Sequence, residues 1–538
     1  MPFLLIIIFL LLAGAVGILG LSLAPRFRPY ARYVSLAVVG LVTVLTLLLR
    51  WLGPSETIPS LWQPSALFGI APVLRNDILV QPFVFVMALS TCVTDLAMLS
   101  RAENPSPRIL AIRLGMLAAT FAALWGSNPL AVIIGWATYD LLLAAQYVSL
   151  GGAEGTAVRG LTLGSLATLL LWGGSLLNSG SGGSALWALM KPSDAQLTLW
   201  VAAAILRLWI YPFHLRVPDE IGANLSYNVS LLTPVLGWGL CLRLSLASAD
   251  VFGGNGWVAI LAALALAVGG FLAWTVRSPR SMMPWVGMGV TAAILLSAAL
   301  AGDSAAAIIS TGGIAWALGE TVLLLTDGLH RDAPWWSIPA LIGVLTLIGL
   351  PSSLGFASRM YLLGGIARAP RLWWLIAFFI GSSLLVAALV RRLMDPSSTS
   401  LPSSYWMLAV YGIGLGVPAL LLLAAGLIPS LLVVGVELPS LSSLLSLPGA
   451  VGWLLWVFSL VGGGVLGWQD ENVRSRISFL MSAAYDFVCL DWFNESVVGA
   501  MEQGLKALRV VDEVVGGAGN LLWSALLFLL LLLVWSSR

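Results

Sequence analysis

Arg207 and His214 bound the stretch Arg207-Leu208-Trp209-Ile210-Tyr211-Pro212-Phe213-His214, with Pro218-Asp219-Glu220 just beyond it, at the end of a long apolar segment. An ionisable side chain at the centre of a bilayer costs about 2.5–3.5 kcal/mol on insertion scales, so such a group is kept where it faces a wet cavity or a partner. Three more stand in apolar surroundings: Asp140, Glu320 within Trp316-Ala317-Leu318-Gly319-Glu320-Thr321-Val322, and Arg359 after Gly355-Phe356. Their chemistry divides. A carboxyl group shielded from water holds its proton more tightly and can carry one near neutral pH. Glu320 is the internal acid best suited to that task, with a protonated, hydrogen-bonded structural glutamate as the alternative. His214 titrates in the physiological range when unperturbed and reads either as a shuttle or as a hydrogen-bonding fixture. Arginine stays charged in proteins. Arg207 is therefore a fixed charge that can hold an anion or tune a neighbour, and a poor proton carrier. Arg359 either continues a polar axis at a helix break or anchors an interface.

The elements that position these groups must lie in lipid. Of 538 residues, 59% are hydrophobic and 9% charged, against about 25% charged in soluble domains, and the mean hydropathy is +0.98. A net charge of +2 favours neither nucleic acid nor an acidic substrate. Cys92, Cys241 and Cys489 are isolated and read as small packing residues. No paired cysteines, bis-histidine arrangement or glycine loop after a strand supports a cofactor within this chain. Lysine is almost absent: only Lys191 and Lys506 occur, neither within an apolar span. The 24 tryptophans read as interfacial anchors and packing.

A span needs about 20 mostly apolar residues, and the hydropathy pattern predicts about fourteen to sixteen of them. They fall near 3–23, 33–52, 78–99, 109–125, 129–150, 160–178, 195–214, 228–248, 256–275, 284–301, 304–327, 337–356, 372–393, 405–428, 450–467 and 520–536. The first reads as a span rather than a cleaved signal, having no basic n-region. Arg26, Arg28 and Arg32 follow the first span, Arg101, Arg108 and Arg113 the third, and Arg159 the fifth, while the alternate loops carry only Lys191. Odd-numbered spans then end in the cytoplasm and the N-terminus lies outside. Arg391 and Arg392 end a span and are expected to snorkel. Pro212, Pro218 and Pro234 predict that the seventh span is broken, which is tolerated where the freed backbone meets protein or water. In 470–519, Phe493, Val497, Met501, Leu505 and Leu508 fall at helical spacing opposite Glu495, Glu502, Lys506 and Arg509. That pattern predicts an amphipathic helix lying on the membrane surface or against a partner, before a final span in 520–538.

The Pro212-Phe213-His214 and Pro218-Asp219 units, with Arg207 five positions ahead of the first, resemble the central signature of the antiporter-like subunits of respiratory complex I. That family also includes subunits of Mrp-type cation antiporters and membrane-bound hydrogenases, and it carries lysine at the place of Arg207. Leu74-Arg75-Asn76-Asp77, Gly126-Ser127-Asn128 with Gly135-Trp136, and the Pro351 to Arg359 stretch (Gly355-Phe356-Ala357-Ser358-Arg359) resemble other family motifs in the same order, over roughly 70–395. The departures are chemical. Ala137 stands where the family has glutamate, with Asp140 three residues on, roughly on the same helical face. Glu320 stands for a central lysine, Gly312 and Trp316 for its histidine neighbours, and Asn224-Leu225-Ser226 and Leu231-Leu232-Thr233 for a further run.

The resemblance implies an all-α polytopic fold with antiporter-like inverted repeats and broken helices. It divides the chain into N-terminal spans over 1–108, an antiporter-like core over 109–395, further spans over 396–469, the amphipathic helix and the last span. It also implies a membrane-arm subunit of a complex I-like oxidoreductase in the inner membrane of a prokaryote, contacting other membrane-arm subunits and possessing no redox centre of its own. A proton path would use Asp140, Arg207, His214, Glu320 and Arg359. Asp140 paired with Arg207, if the fifth and seventh spans adjoin, would be either a structural lock or a relay component. An Mrp-type cation/proton antiporter component is the alternative. A many-span glycosyltransferase would want several acids in its first external loop, where only Glu56 occurs.

Overall fold

The structure is a computed structural model. It describes residues 3–57, 71–101, 105–150, 154–178, 186–214, 231–248, 251–253, 255–276, 281–326, 328–330, 333–368, 372–396, 401–433 and 447–488, with isolated residues after these. The chain divides into two units, 1–476 and 477–538.

In the first unit the helices are α1 (Phe3–Leu23), α2 (Ala31–Leu52), α3 (Gln81–Ser100), α4 (Pro107–Trp125), α5 (Pro129–Leu150), α6 (Glu154–Asn178), α7 (Asp194–Arg207) and α8 (Thr233–Ala247). They continue as α9 (Gly256–Thr275), α10 (Met283–Ala301), α11 (Ala305–Leu325), α12 (Ile338–Ile348), α13 (Leu354–Arg368), α14 (Leu372–Met394), α15 (Tyr405–Leu427) and α16 (Leu447–Trp468). A two-stranded antiparallel ribbon, β1 (Ser55–Thr57) and β2 (Leu74–Asn76), sets Glu56 opposite Arg75. Proline opens several helices, where the missing N–H would have had no partner anyway. Ser193 and Gln196 form a reciprocal capping box at the start of α7.

Among the described residues, twelve helices are long and apolar enough to cross a membrane. The chain is a multi-pass membrane protein. The difference from the expected number lies at the segments near 195–214, 228–248 and 337–356, whose helices are shorter, and at 520–536, outside the described residues. The seventh span is broken as the prolines predict, its helix ending at Arg207 and residues 208–214 being non-helical. The segment near 337–356 is not one span. It breaks between α12 and α13, where Gly349 takes φ 76° and Ser352 takes φ 64°. A left-handed residue suits glycine, and Pro351 cannot continue a helix.

The core lies where α10 and α11 pack on each other and on their neighbours α9, α12 and α13. Both are almost fully buried, whereas α1, α2 and α16 bury only a minority of their residues, as helices facing lipid do. On the other side α6 packs between α5 and α7.

Arginine placement also departs from expectation. Arg113 belongs inside α4, buried against Asp95, and not to a loop. Arg391 and Arg392 do not snorkel to open water. Arg391 donates to the carbonyls of Trp274 and Val276 at 3.2 and 2.7 Å, and Arg392 to that of Thr326 at 2.5 Å. Arg101 donates to Leu325 O at 2.5 Å, so α9 and α11 both end on guanidinium groups. Helix C-termini present unsatisfied carbonyls and partial negative charge. Arginine's planar fork serves several such acceptors at once, which lysine's point charge does not.

Asp470–Arg476 begins α17 (Asp470–Val488), with Asp470 accepting from Trp274 Nε1 at 3.0 Å and pairing with Arg474 at 2.8 Å. In the second unit Ile477–Val488 is helical, and the helical geometry is interrupted at Ile477. The expected amphipathic face from Phe493 to Leu508 and the span at 520–536 lie outside the described residues, as do Pro218-Asp219-Glu220, Asn224-Leu225-Ser226 and Cys489.

Candidate functional site

Arg207 is the last residue of α7, and its guanidinium points back into the helix packing instead of out of the break. Nη1 donates to Asp140 Oδ1 at 2.5 Å and Nη2 to Asp140 Oδ2 at 2.7 Å. Nη2 also donates to Gly164 O and Thr168 Oγ1, each at 3.1 Å. The guanidinium carbon lies 4.5 Å from the centroid of the Trp136 ring. Asp140 is 4% exposed and Arg207 2%. A two-pronged contact of this kind uses the fork geometry of arginine and the two oxygens of a carboxylate.

The fifth and seventh spans therefore meet through side chains, with α6 packed between them. Gly164 on α6 makes the meeting possible: a Cβ there would lie 2.5 Å from the Asp140 carboxyl group. The carboxylate cannot retreat without giving up its hydrogen bonds. Gly164→Ala is expected to cost about 1–3 kcal/mol, the usual range for overpacking. Gly173→Ala, on the same helix with nothing within 4 Å of the new Cβ, is the control and should be neutral or better. Unfolding midpoints in detergent of the two variants check this directly.

Two of the further arginine–aspartate pairs tie α3 to α4 and the entry of α3 to α8, and neither was read from the sequence. Asp95 on α3 pairs with Arg113 on α4 and accepts from Ser35 on α2 at 2.8 Å. Asp77 pairs with Arg243 on α8 and accepts from Val80 N at 3.0 Å in the turn that leads into α3. Arg243 also donates to Leu124 O at 3.0 Å, closing the C-terminus of α4. The available signal was opposite charges inside consecutive apolar runs. The motif residues Asn76, Asp77 and Asn128 turn out to be positional: Asn128 accepts from Ala131 N at 3.0 Å and donates to Ala71 O at 2.6 Å.

Glu320 lies in the C-terminal third of α11 and is fully buried. Gly287 on α10 leaves the space for its carboxyl group, since a Cβ there would lie 2.8 Å from Oε2. His214 stacks on Tyr211 at 5.6 Å and meets the edge of Trp285, also on α10, at 5.1 Å. Thus α10 carries the surfaces met by both titratable candidates, two residues apart. Arg359 on α13 lines a different place, a small cavity next to Trp316 and Ser297. The five sequence candidates accordingly separate into the closed Asp140–Arg207 pair, the α10-facing His214 and Glu320, and Arg359. Among the described residues no group of three His, Cys, Asp or Glu side chains is placed to hold a metal.

No protein-family model matches the chain. NAD(P)H-quinone oxidoreductase subunit 2 of Prochlorococcus marinus (strain MIT 9301) is 25% identical over 394 residues, covering 65% of this chain and 75% of that protein. A chain of the Mrp complex from Dietzia sp. DQ12-45-1b superposes with a TM-score of 0.78 at 18% identity, covering 98% of this chain. The chain has the antiporter-like fold. It spans 63% of the length of that Mrp chain. A chain of the membrane-bound sulfane sulfur reductase, an archaeal respiratory membrane complex, superposes with a TM-score of 0.73 at 16% identity over 99% of both chains. Within this fold the chain has Arg207 and Glu320 where the sequence resemblance leads one to expect lysine, and Ala137 where it leads one to expect glutamate, with Asp140 three residues on.

Proposed function

We propose that this chain is a membrane-arm subunit of a complex I-like oxidoreductase, supporting proton translocation through the arm with reduced conduction of its own. The observation that carries this reading is the buried, two-pronged Arg207–Asp140 pair. A guanidinium cannot release its proton at any accessible cost, so this pair holds helices together and does not relay. Titratable capacity remains at Glu320 and His214, both facing α10. Electrons travel through other subunits, which bear the redox centres. The partners are neighbouring membrane-arm subunits and lipid, with a lateral contact through 470–519. The N-terminus lies outside the inner membrane of a prokaryote, as the placement of Arg26, Arg28 and Arg32 after the first span favours.

The second reading, an Mrp-type cation/proton antiporter component, is favoured by the superposition over 98% of the chain on a chain of an Mrp complex. Purification of the tagged chain from its native membrane in mild detergent, followed by mass spectrometry, separates the two. Stoichiometric iron–sulfur and quinone-module subunits are expected. Recovery with small antiporter subunits only would overturn the oxidoreductase reading and leave the antiporter.

A further inference from the structure

Three of the buried arginines, Arg113, Arg207 and Arg243, each hold an aspartate. Arg359 does not. It is 6% exposed, and its Nη1 has no hydrogen-bond partner among the described residues. Its stem packs across the α12–α13 break, where a Cβ on Gly349 would collide with Arg359 Cγ. The carbonyl end of α12 at this break supplies only a fraction of a negative charge.

The guanidinium lines a cavity of ≈ 10 Å³, measured as the space open to the centre of a water molecule. That is about the volume one water needs. Trp316 contributes to the same lining, is fully buried, and its Nε1 also lacks a partner among the described residues. The hydroxyl groups around the cavity are already committed as donors. Ser297 Oγ donates to Ser358 O and Ala293 O, each at 3.0 Å, Thr346 Oγ1 to Ile342 O at 2.8 Å, and Ser358 Oγ to Gly355 O at 2.9 Å. Among the described residues the lining contains no acid.

We propose that this cavity is a binding site for one monatomic anion, chloride under ordinary ionic conditions, taking hydrogen bonds from Arg359 Nη1 and Trp316 Nε1. A permanent cation in a low-dielectric interior is costly until a charge of opposite sign lies close. A water would accept from both donors and leave the charge uncompensated. Phosphate, sulfate and carboxylates are too large for a space of one water. The site is independent of whether the chain serves an oxidoreductase or an antiporter.

The test uses the protein purified with its native partners. In crystals grown in bromide, anomalous scattering should show a peak within hydrogen-bond distance of Arg359 Nη1. Density without anomalous signal, meaning water, or no density in the cavity overturns the proposal. In solution, exchange of chloride for gluconate should lower the thermal midpoint, and bromide should restore it. Equal midpoints in chloride and gluconate overturn the proposal as well. Trp316→Phe keeps an aromatic ring at the site and removes the Nε1 donor, so the halide concentration giving half the stabilisation should rise at least about tenfold, the worth of one hydrogen bond to a charged group. Arg359→Gln should abolish the halide dependence. If that variant does not assemble, the bromide measurement on the unaltered protein decides.

Discussion

Asp140→Leu and Arg207→Met should each destabilise the protein by about 3–5 kcal/mol, because each leaves one member of a buried ion pair without its counter-charge. Both side chains are at most 4% exposed, so water cannot take over the lost contacts. Removing Asp140's charge strands a guanidinium held otherwise by Gly164 O, Thr168 and the Trp136 ring. Removing Arg207 strands a carboxylate pressed against Gly164. The double variant Asp140→Leu/Arg207→Met should recover most of the loss, since a buried pair replaced by apolar groups of similar volume is often neutral or stabilising. Denaturation in mixed micelles around this double-mutant cycle gives the coupling directly. The same four proteins, assayed for proton translocation in proteoliposomes with their partners, separate lock from relay. A double variant that folds and still supports translocation shows a lock; one that folds and does not support it makes the pair part of the path and overturns the reading given above.

Glu320→Gln should reduce proton translocation at least about tenfold, a change of roughly 1.4 kcal/mol in the controlling barrier, while leaving the unfolding midpoint nearly unchanged. Glutamine matches glutamate in shape, so it fits the space that Gly287 leaves on α10, and it cannot take up or release a proton. The full burial of Glu320 is the structural ground for expecting a large effect: no bulk water substitutes for a lost relay at a fully buried position. Unaltered translocation in a folded Glu320→Gln protein would make Glu320 a structural, hydrogen-bonded acid. The test is then repeated at His214, the other titratable candidate facing α10.

Membrane residence and the helix-dominated architecture were legible in the sequence. Long apolar runs have few alternatives in lipid, where the backbone must satisfy its own hydrogen bonds. The break in the seventh span was legible for a local reason, the fixed geometry of proline. The break between α12 and α13 was not, because hydropathy averages over Gly349 and Pro351 while the backbone turns on individual dihedral angles. The Asp140–Arg207 partnership was expected if the fifth and seventh spans adjoined; that α6 lies between them, with Gly164 opening the way, depended on three helices packing together. The pairs Asp95–Arg113 and Asp77–Arg243 went unread because opposite charges in separate spans carry no local mark of their pairing.

The sequence by itself determined which groups can move protons and which cannot, since that follows from side-chain chemistry: arginine keeps its charge, and histidine and glutamate exchange theirs. Only the tertiary structure decided which charge meets which. Arg207 found a carboxylate through a glycine gap on a third helix, whereas Arg359 ended beside a cavity of one water with no acid among the described residues that line it. Pairing depends on distances of a few ångströms between residues tens to hundreds of positions apart, and those distances are set by helix packing.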